Sequence, residues 1–496
     1  MSGGTFHAPC VARVPKRHLA AALAIQVLLS PFDFVRAAGA EFPELTRPLS
    51  KVEALNLALA KNGTIREARK EVEAAAGIAI QTRAILFPKL LGGANYSVRQ
   101  DSLIEANRDR TIEPVQVDLP AVPALGLAGQ TLSVGGGESP KVNNQSWGAD
   151  IRIVQSLYEG GRMLSAARSS RLIREQAILV FQSTVSDTLL SVANAYDDAL
   201  RRAKQVEVRE QQLKFLTEYR DDAKVRFEAG TLPEFDVIRQ EVEVANSAAK
   251  LVEAQGDYRI AKQKLVELLG YNLSADIPDD LPLNLTTPLA ACPYPHDLSV
   301  ALAMAAKNRT EIAALEKEER LGGEAIIAAK AGWKPSVQAF AGYEVASRMA
   351  TRSVGDTVNG ALVGVQVSIP IFDGFLTKGR VDEAKARRGK AVEAKAETAR
   401  VIQLQVRSAW TQLRTAQSVL TAQTENIHKA VRSLKLATDR YKAGAGTQID
   451  VLDAQTALTE ARGSYFDALR DHSVARATLV RATGADLQQP TTDTHL

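Results

Sequence analysis

The chain has 496 residues, 24% of them charged and only 5% aromatic, with a formal net charge of +4. Residues 1–40 hold four basic side chains (Arg13, Lys16, Arg17, Arg36) and one acidic (Asp33), so the remainder carries +1. A near-neutral chain offers no phosphate-neutralising face and argues against nucleic acid as a partner. No later stretch has the roughly 18 consecutive apolar residues of a membrane helix, so any membrane would be entered as strands.

The N-terminus reads as a secretory leader: Arg13, Lys16 and Arg17 precede the apolar run Leu19 to Leu29, and Ala38-Gly39-Ala40 offers a small-residue cleavage site. Pro31 ends the run too early for a comfortable membrane span, and cleavage is expected to leave a chain starting near Glu41. Cys10 precedes the apolar run, which argues against a lipid anchor. Cys292 then stands alone and no intrachain disulfide forms.

Beyond the leader the chain is duplicated. Ala60-Lys61-Asn62-Gly63-Thr64-Ile65 recurs as Ala306-Lys307-Asn308-Arg309-Thr310-Glu311-Ile312, and Phe87-Pro88 through Tyr96 as Trp333-Lys334-Pro335 through Tyr343. At one constant offset, Tyr158-Glu159-Gly160 matches Phe372-Asp373-Gly374, Arg226-Phe227 matches Arg440-Tyr441, and Gly230 and Gly270 match Gly444 and Gly484. Constant spacing over such a distance means that the intervening segments do not tolerate changes of length.

The first repeat is taken as 41–273, with strands about 89–100 and 146–156 and long helices about 160–228 and 232–270. A Pro- and Leu-rich linker, 274–296, leads to a second repeat, 297–487, with strands about 336–346 and 361–370 and helices about 374–442 and 447–485, then a tail 488–496. In the strands, Leu90, Gly92, Ala94, Tyr96 and Val98, then Trp147, Ala149, Ile151 and Ile153, alternate with small or polar residues. Val337, Ala339, Ala341, Tyr343 and Val345, and Val363, Val365, Val367 and Ile369, do the same, at the length of membrane-barrel strands. Residues 101–145, with Gly135-Gly136-Gly137, read as a surface loop, and a shorter loop is expected near Ser347 to Gly360.

The first long helix of each repeat would run about 100 Å at 1.5 Å per residue. Ile402, Val406, Ala409, Leu413, Ala416, Leu420, Gln423, Ile427, Ala430, Leu434, Ala437 and Tyr441 keep a four-three spacing, the seam of a left-handed coiled coil. Val192, Ala199, Val206 and Leu213 share its phase. The helices break at Gly230 and at Gly444 with Gly446, and Thr231 with Glu234 and Thr447 with Asp450 are placed as capping pairs for the returning helices. Four strands cannot close a membrane sheet, so several copies must share one barrel: eight strands from two chains or twelve from three.

These motifs give the chain a plain resemblance to the TolC family of outer-membrane export channels, over nearly its whole length after the leader. They are Phe87-Pro88, Trp333-Lys334-Pro335, Ile369-Pro370-Ile371-Phe372-Asp373-Gly374, and Arg440-Tyr441-Lys442-Ala443-Gly444 followed by Asp450-Val451-Leu452-Asp453-Ala454-Gln455. The resemblance implies an α+β, mainly α, membrane protein: a homotrimer whose twelve-stranded barrel in outer-membrane lipid continues into a periplasmic coiled-coil tunnel. It implies a periplasmic adaptor and an inner-membrane pump, proton-driven or ATP-driven, and no cofactor.

By the same resemblance Asp450 and Asp453 face the periplasmic constriction and Tyr441 helps to hold it closed, while Gly446 stands where some relatives carry a latch arginine. Asp450 as a simple helix cap, Asp453 as a solvated charge and Tyr441 as the last seam residue remain alternatives. Gly230, Leu232, Gly444 and Ala445 at the hairpin tips are the expected adaptor contacts. Small-molecule efflux is the favoured use, against type I protein secretion and, in a different class, a periplasmic coiled-coil scaffold. His296, His428, His472 and His495 are scattered without metal spacing, and nothing resembles a catalytic set, so an enzyme is not expected.

Overall fold

The computed structural model describes residues 47–100, 111–112, 114–119, 130–134, 137–138, 144–272, 280–347 and 355–485. The expected leader, Gly135-Gly136 and the tail 488–496 lie outside the described residues. In chain order come α1 (Lys51–Lys61), α2 (Gly63–Arg83), β1 (Lys89–Val98), β2 (Thr111–Ile112), β3 (Val115–Leu119), β4 (Gln130–Val134), β5 (Gly137–Glu138) and β6 (Gln145–Glu159). Then follow α3 (Arg162–Glu228), α4 (Glu234–Leu268), α5 (Leu298–Asn308), α6 (Thr310–Lys330), β7 (Ser336–Ser347), β8 (Thr357–Ser368), α7 (Leu376–Lys442) and α8 (Gln448–Ala482). α1 and α5 have 11 residues each, α2 and α6 have 21, α3 and α7 have 67, and α4 and α8 have 35.

The chain divides into two compact units, one of Val72–Ala177 and Ala314–Lys395, the other of the remaining described residues. The first holds an antiparallel sheet in the order β1-β6-β7-β8. Its register brings every alternating apolar set onto one face: Leu90 lies opposite Ile153, Ile153 opposite Ala341, and Ala341 opposite Val363. Within the single chain that face is uncovered, with Leu90 70% and Val363 78% exposed. On the other face the ring of Phe340 occupies the space a side chain on Gly364 would need.

Three expectations for this unit require correction. β8 begins at Thr357, not near 361, because Thr357–Gly360 pair with Ser347–Glu344 although Val358, Asn359 and Gly360 break the apolar alternation. It ends at Ser368, before Pro370, whose ring nitrogen has no hydrogen to donate to a ladder. β6 continues past 156 to Glu159 through a bulge between Ser156 and Tyr158. The segment read as a loop carries two short ladders, β2 with β5 and β3 with β4, whose alternation (Val115, Val117, Leu119) is hidden among Pro and Gly.

The helices begin slightly later than the glycines suggest. Gly160 and Gly161 (φ 61° and 100°) turn the chain into α3, and Gly374 with Phe375 (φ 63° and 66°) turns it into α7. Phe375 is the only described non-glycine residue in that left-handed region. Asp373 then accepts from the Thr377 amide at 2.8 Å, satisfying one of α7's free N–H groups.

In the helical unit every residue of the expected α7 seam from Ile402 to Tyr441 is buried or half-buried. Two cores repeat one another. Around α3, Val192, Tyr196, Ala199, Leu265 and Leu269 pack with Ala54 and Ala58, and around α7, Ile402, Val406, Ala409 and Leu479 pack with Ala301 and Ala305. The residues expected to link the halves form a strap: Leu285 bridges to Leu49, and the Tyr196 hydroxyl donates to the Leu49 carbonyl (2.8 Å) and accepts from the Thr287 amide (3.1 Å).

All four long helices end alike. The amides of Gly230, Gly270, Gly444 and Gly484 return to the third preceding carbonyl, and the next amide returns to the fifth, closing paired turns that need φ near +70° to +90°. At two of these ends a short-helix junction packs against the glycine: a side chain on Gly270 would strike the Lys61 carbonyl, and one on Gly484 would lie 2.9 Å from Asn308. Asn62 donates to the Leu268 carbonyl (2.6 Å) and Arg309 to the Arg481 carbonyl (3.3 Å), so each break in the short helices caps the end of a long one.

Arg309 belongs to a buried ionic junction. Glu311 accepts from Arg481 (2.7 Å), Arg309 (2.9 Å) and the Ser183 hydroxyl (2.8 Å), while Arg481 also reaches Asp187 at 2.7 Å and Arg309 reaches Gln405 at 3.1 Å. Burial would raise the Glu311 pKa, but the hydrogen bonds from Arg481 and Ser183 outweigh it and hold the value at about 2. This carboxylate therefore contributes fully above its unfolded value of 4.5 and loses its contribution as pH falls toward about 2. Its worth at neutral pH is about 3 kcal/mol. Denaturant melts between pH 7 and pH 2 are expected to show that slope in the natural chain and to lose it in Glu311→Gln.

Candidate functional site

The residues singled out by sequence lie where the long helices turn back. At the second hairpin, the Thr447 hydroxyl accepts from the Asp450 amide (3.2 Å) and the Asp450 carboxylate accepts from the Thr447 amide (2.9 Å), a reciprocal capping box. That backbone hydrogen bond, helped by the Thr447 hydroxyl and by Arg440, lowers the Asp450 pKa below the usual carboxylate range. Asp450 is thus an exposed, ionised helix cap, and Asp453, one turn on, is also exposed. The capping alternative is real.

The first hairpin lacks the equivalent cap, contrary to the expected pairing of Thr231 with Glu234. Pro233 occupies the cap position of α4 without a side-chain bond, and the Thr231 hydroxyl instead turns back to the Arg226 carbonyl at 2.9 Å. The intervening proline fixes the backbone so that Thr231 belongs to the end of α3 and not to the start of α4.

Tyr441 is half-buried between the hairpins. Its ring lies 5.8 Å from that of Tyr219, tilted 38°, and the Arg226 guanidinium stands 5.2 Å over its face. Arg226 is held in turn by Asp222 at 2.9 Å, and Tyr219 stacks on Phe215. Burial, then the neighbouring Tyr441, push the Tyr219 hydroxyl above the usual tyrosine range. A side chain on Gly446 would meet Arg440 and the Tyr441 backbone at 3.2 Å, so this hairpin has little room for a larger residue there. The cation over Tyr441 is supplied by the opposite hairpin.

A cavity of about 240 Å³ separates the hairpins, lined by Leu232, Asp236, Arg239, Gln240, Tyr441 and Thr447 among others. Gln240 is fully buried, yet neither atom of its amide has a hydrogen-bond partner. Gly230, Gly444 and Ala445 are exposed at the turns, whereas Leu232 is half-buried in the cavity wall. The structure thus gathers Tyr441 and Leu232 into one groove, leaves Asp450 and Asp453 on the exposed side of α8, and adds Tyr219, Arg226 and Gln240. Only Arg226 had a sequence signal, its repeat correspondence with Arg440.

Residues 54–271 and 301–485 match the model of the family described as Outer membrane efflux protein. The outer membrane efflux protein BepC of Brucella suis is 26% identical over 85% of this chain and 91% of its own. The outer membrane protein TolC of Escherichia coli is 22% identical over 76% of this chain and 78% of its own. Among solved structures, the outer membrane protein VceC of Vibrio cholerae superposes with a TM-score of 0.67 at 17% identity, covering 88% of this chain and 96% of that one, which is a likeness of fold.

Gly444 (φ 71°) has open space around it, so Gly444→Ala tests backbone strain alone. It is expected to cost about 1–2 kcal/mol in denaturant melts, with trimming of the α7 end visible as faster amide exchange at Lys442–Ala445.

Proposed function

This chain belongs to the outer membrane efflux protein family, and from that premise we propose that it is the exit duct of a tripartite export system carrying small toxic compounds. Membership makes it an outer-membrane channel for efflux or secretion and not an enzyme. The competing reading, a periplasmic coiled-coil scaffold, falls with that membership.

The observation that carries the finer reading is the four-stranded sheet whose apolar side chains share one face through all three ladders. Such a face belongs in lipid, and a sheet in lipid must have no open edge. β1 and β8 end the sheet of the single chain unpaired, so several copies share one barrel, and of the two counts that close it, eight strands or twelve, we take the three copies that the TolC resemblance implies. The long helices then form the periplasmic tunnel, and transport draws its energy from an inner-membrane pump reached through an adaptor, which leaves this chain no need of a cofactor.

The hairpin ends serve as the gate. Asp450 and Asp453, repeated around a threefold axis, place six carboxylates at the aperture, and the lowered pKa of Asp450 keeps that member ionised. The Arg226–Tyr441 contact restrains the closed arrangement, replacing a latch that Gly446 does not supply. Gly230, Gly444 and Ala445 are the exposed adaptor contacts, with Leu232 and the unpartnered Gln240 amide in the groove behind them.

Planar-bilayer conductance of the purified protein tests the gate. Asp450→Ala combined with Asp453→Ala is expected to weaken cation selectivity and divalent-cation block, and an unchanged channel would remove the assignment. Arg226→Gln is expected to shift the closed–open balance about two- to fivefold toward open, the worth of an exposed cation–π contact. Crosslinking through Ala445 is expected to capture an adaptor together with a proton-driven pump; capture with an ATP-driven transporter would redirect the reading to protein secretion.

A further inference from the structure

Away from the hairpin ends, the strap that joins the repeats covers a second cavity, of about 250 Å³. Tyr294 of the strap forms one wall, and Trp410, Leu413, Arg414 and Gln417 of α7 form another, at the three-and-four spacing of one helical face. His472 of α8 completes it. Tyr294 and Trp410 meet edge to face, with centroids 6.1 Å apart and planes at 81°, and the His296 ring meets Tyr294 in the same way at 5.6 Å, so the strap brings an aromatic cluster to the cavity wall.

Polar groups of this cavity go without a partner in the fold, the Tyr294 hydroxyl among them. His472 is 1% exposed, yet its Nδ1 finds no hydrogen-bond partner. An imidazole nitrogen orphaned in that way costs about 1–3 kcal/mol, and this one is sealed, so a ligand in the cavity reaches it only with a shift of the neighbouring side chains. Arg414 is the only charged side chain in the lining; it is exposed, and no carboxylate stands in the lining to neutralise it. A planar guanidinium at the rim suits a carboxylate bound through two parallel hydrogen bonds. Desolvation, then Arg476, lower the His472 pKa, which keeps the imidazole neutral and able to accept or donate one hydrogen bond.

We propose that this cavity is a binding site for a single-ring aromatic carboxylate, its ring against Tyr294 and Trp410, its carboxylate on Arg414, and its far edge toward His472. The cavity is smaller than the roughly 300–1,000 Å³ of sites for drug-sized molecules, which limits the ligand to about one ring. The inference concerns equilibrium binding and is independent of what passes through the channel.

Benzoate is the probe, titrated against the detergent-purified full-length protein with Trp410 fluorescence as the readout, isolated by difference from Trp410→Phe. A saturable change is expected, weakened about tenfold or more in Arg414→Gln, the loss of one charge-assisted hydrogen-bond pair. Cyclohexanecarboxylate, of like charge without a flat ring, is expected to bind distinctly less well. Because Arg414 is exposed, its replacement leaves the core intact, and an unchanged melting temperature of Arg414→Gln confirms that. Absence of saturation, equal binding by Arg414→Gln, or equal binding of cyclohexanecarboxylate would each overturn the proposal.

Discussion

Glu311 lies between two guanidiniums, and the spacing of the helical unit is set from that point. Arg309 leaves the short-helix break to reach it, Arg481 comes from the last turn of α8, and Ser183 and Asp187 from α3. Breaking a buried ionic group of this kind strands a charge and costs about 3–5 kcal/mol. The junction therefore fixes the axial position of α8 against α3, as Asn62 fixes the end of α4 against α1 and α2. Adding one residue to α3 or α7 below such a fixed point would rotate every following side chain by about 100° and turn the buried seam outward. The equal lengths of the paired helices follow from that geometry.

Features with a short, regular period were legible in the sequence. The strand faces were readable because one phase of each strand is apolar over several positions, although Leu91, Phe340 and Leu362 stand on the other face, and the register placed Leu90, Ile153, Ala341 and Val363 in one row. The α7 seam was readable for the same reason at period 3.5. Where the pattern is broken by small or polar residues, as in Thr357–Gly360, the ladder continues on backbone hydrogen bonds to which side-chain character gives no clue. Thr231 misled because a threonine three residues before a glutamate looks like a cap, and Pro233 between them decides otherwise.

The hairpin ends divide along the same line between local and distant effects. The Thr447–Asp450 box spans three residues and was visible at once. The cation over Tyr441 comes from Arg226, more than two hundred positions earlier, and no local pattern announces it. Gln240 looked like an ordinary polar helix residue, and only packing shows it sealed without a partner. The junction at Glu311 was missed for a further reason: its members come from α3, α6, α8 and the α5–α6 break, and each alone reads as a surface charge.

The exposed edges of β1 and β8 bear on the life of the chain before it reaches a membrane. Each offers a row of ten or twelve backbone positions to any strand of suitable length. β1 carries Gly92 and Gly93 at its centre and no proline within its span, so little on that edge discourages the wrong neighbour. On the proposed shared barrel, an unassembled copy is an aggregation nucleus as much as a building block, and closure competes kinetically with edge-to-edge stacking. Its yield in a cell depends on how quickly copies are shielded and brought together, a demand that falls on the chaperoning of the free chain and not on the stability of the finished protein.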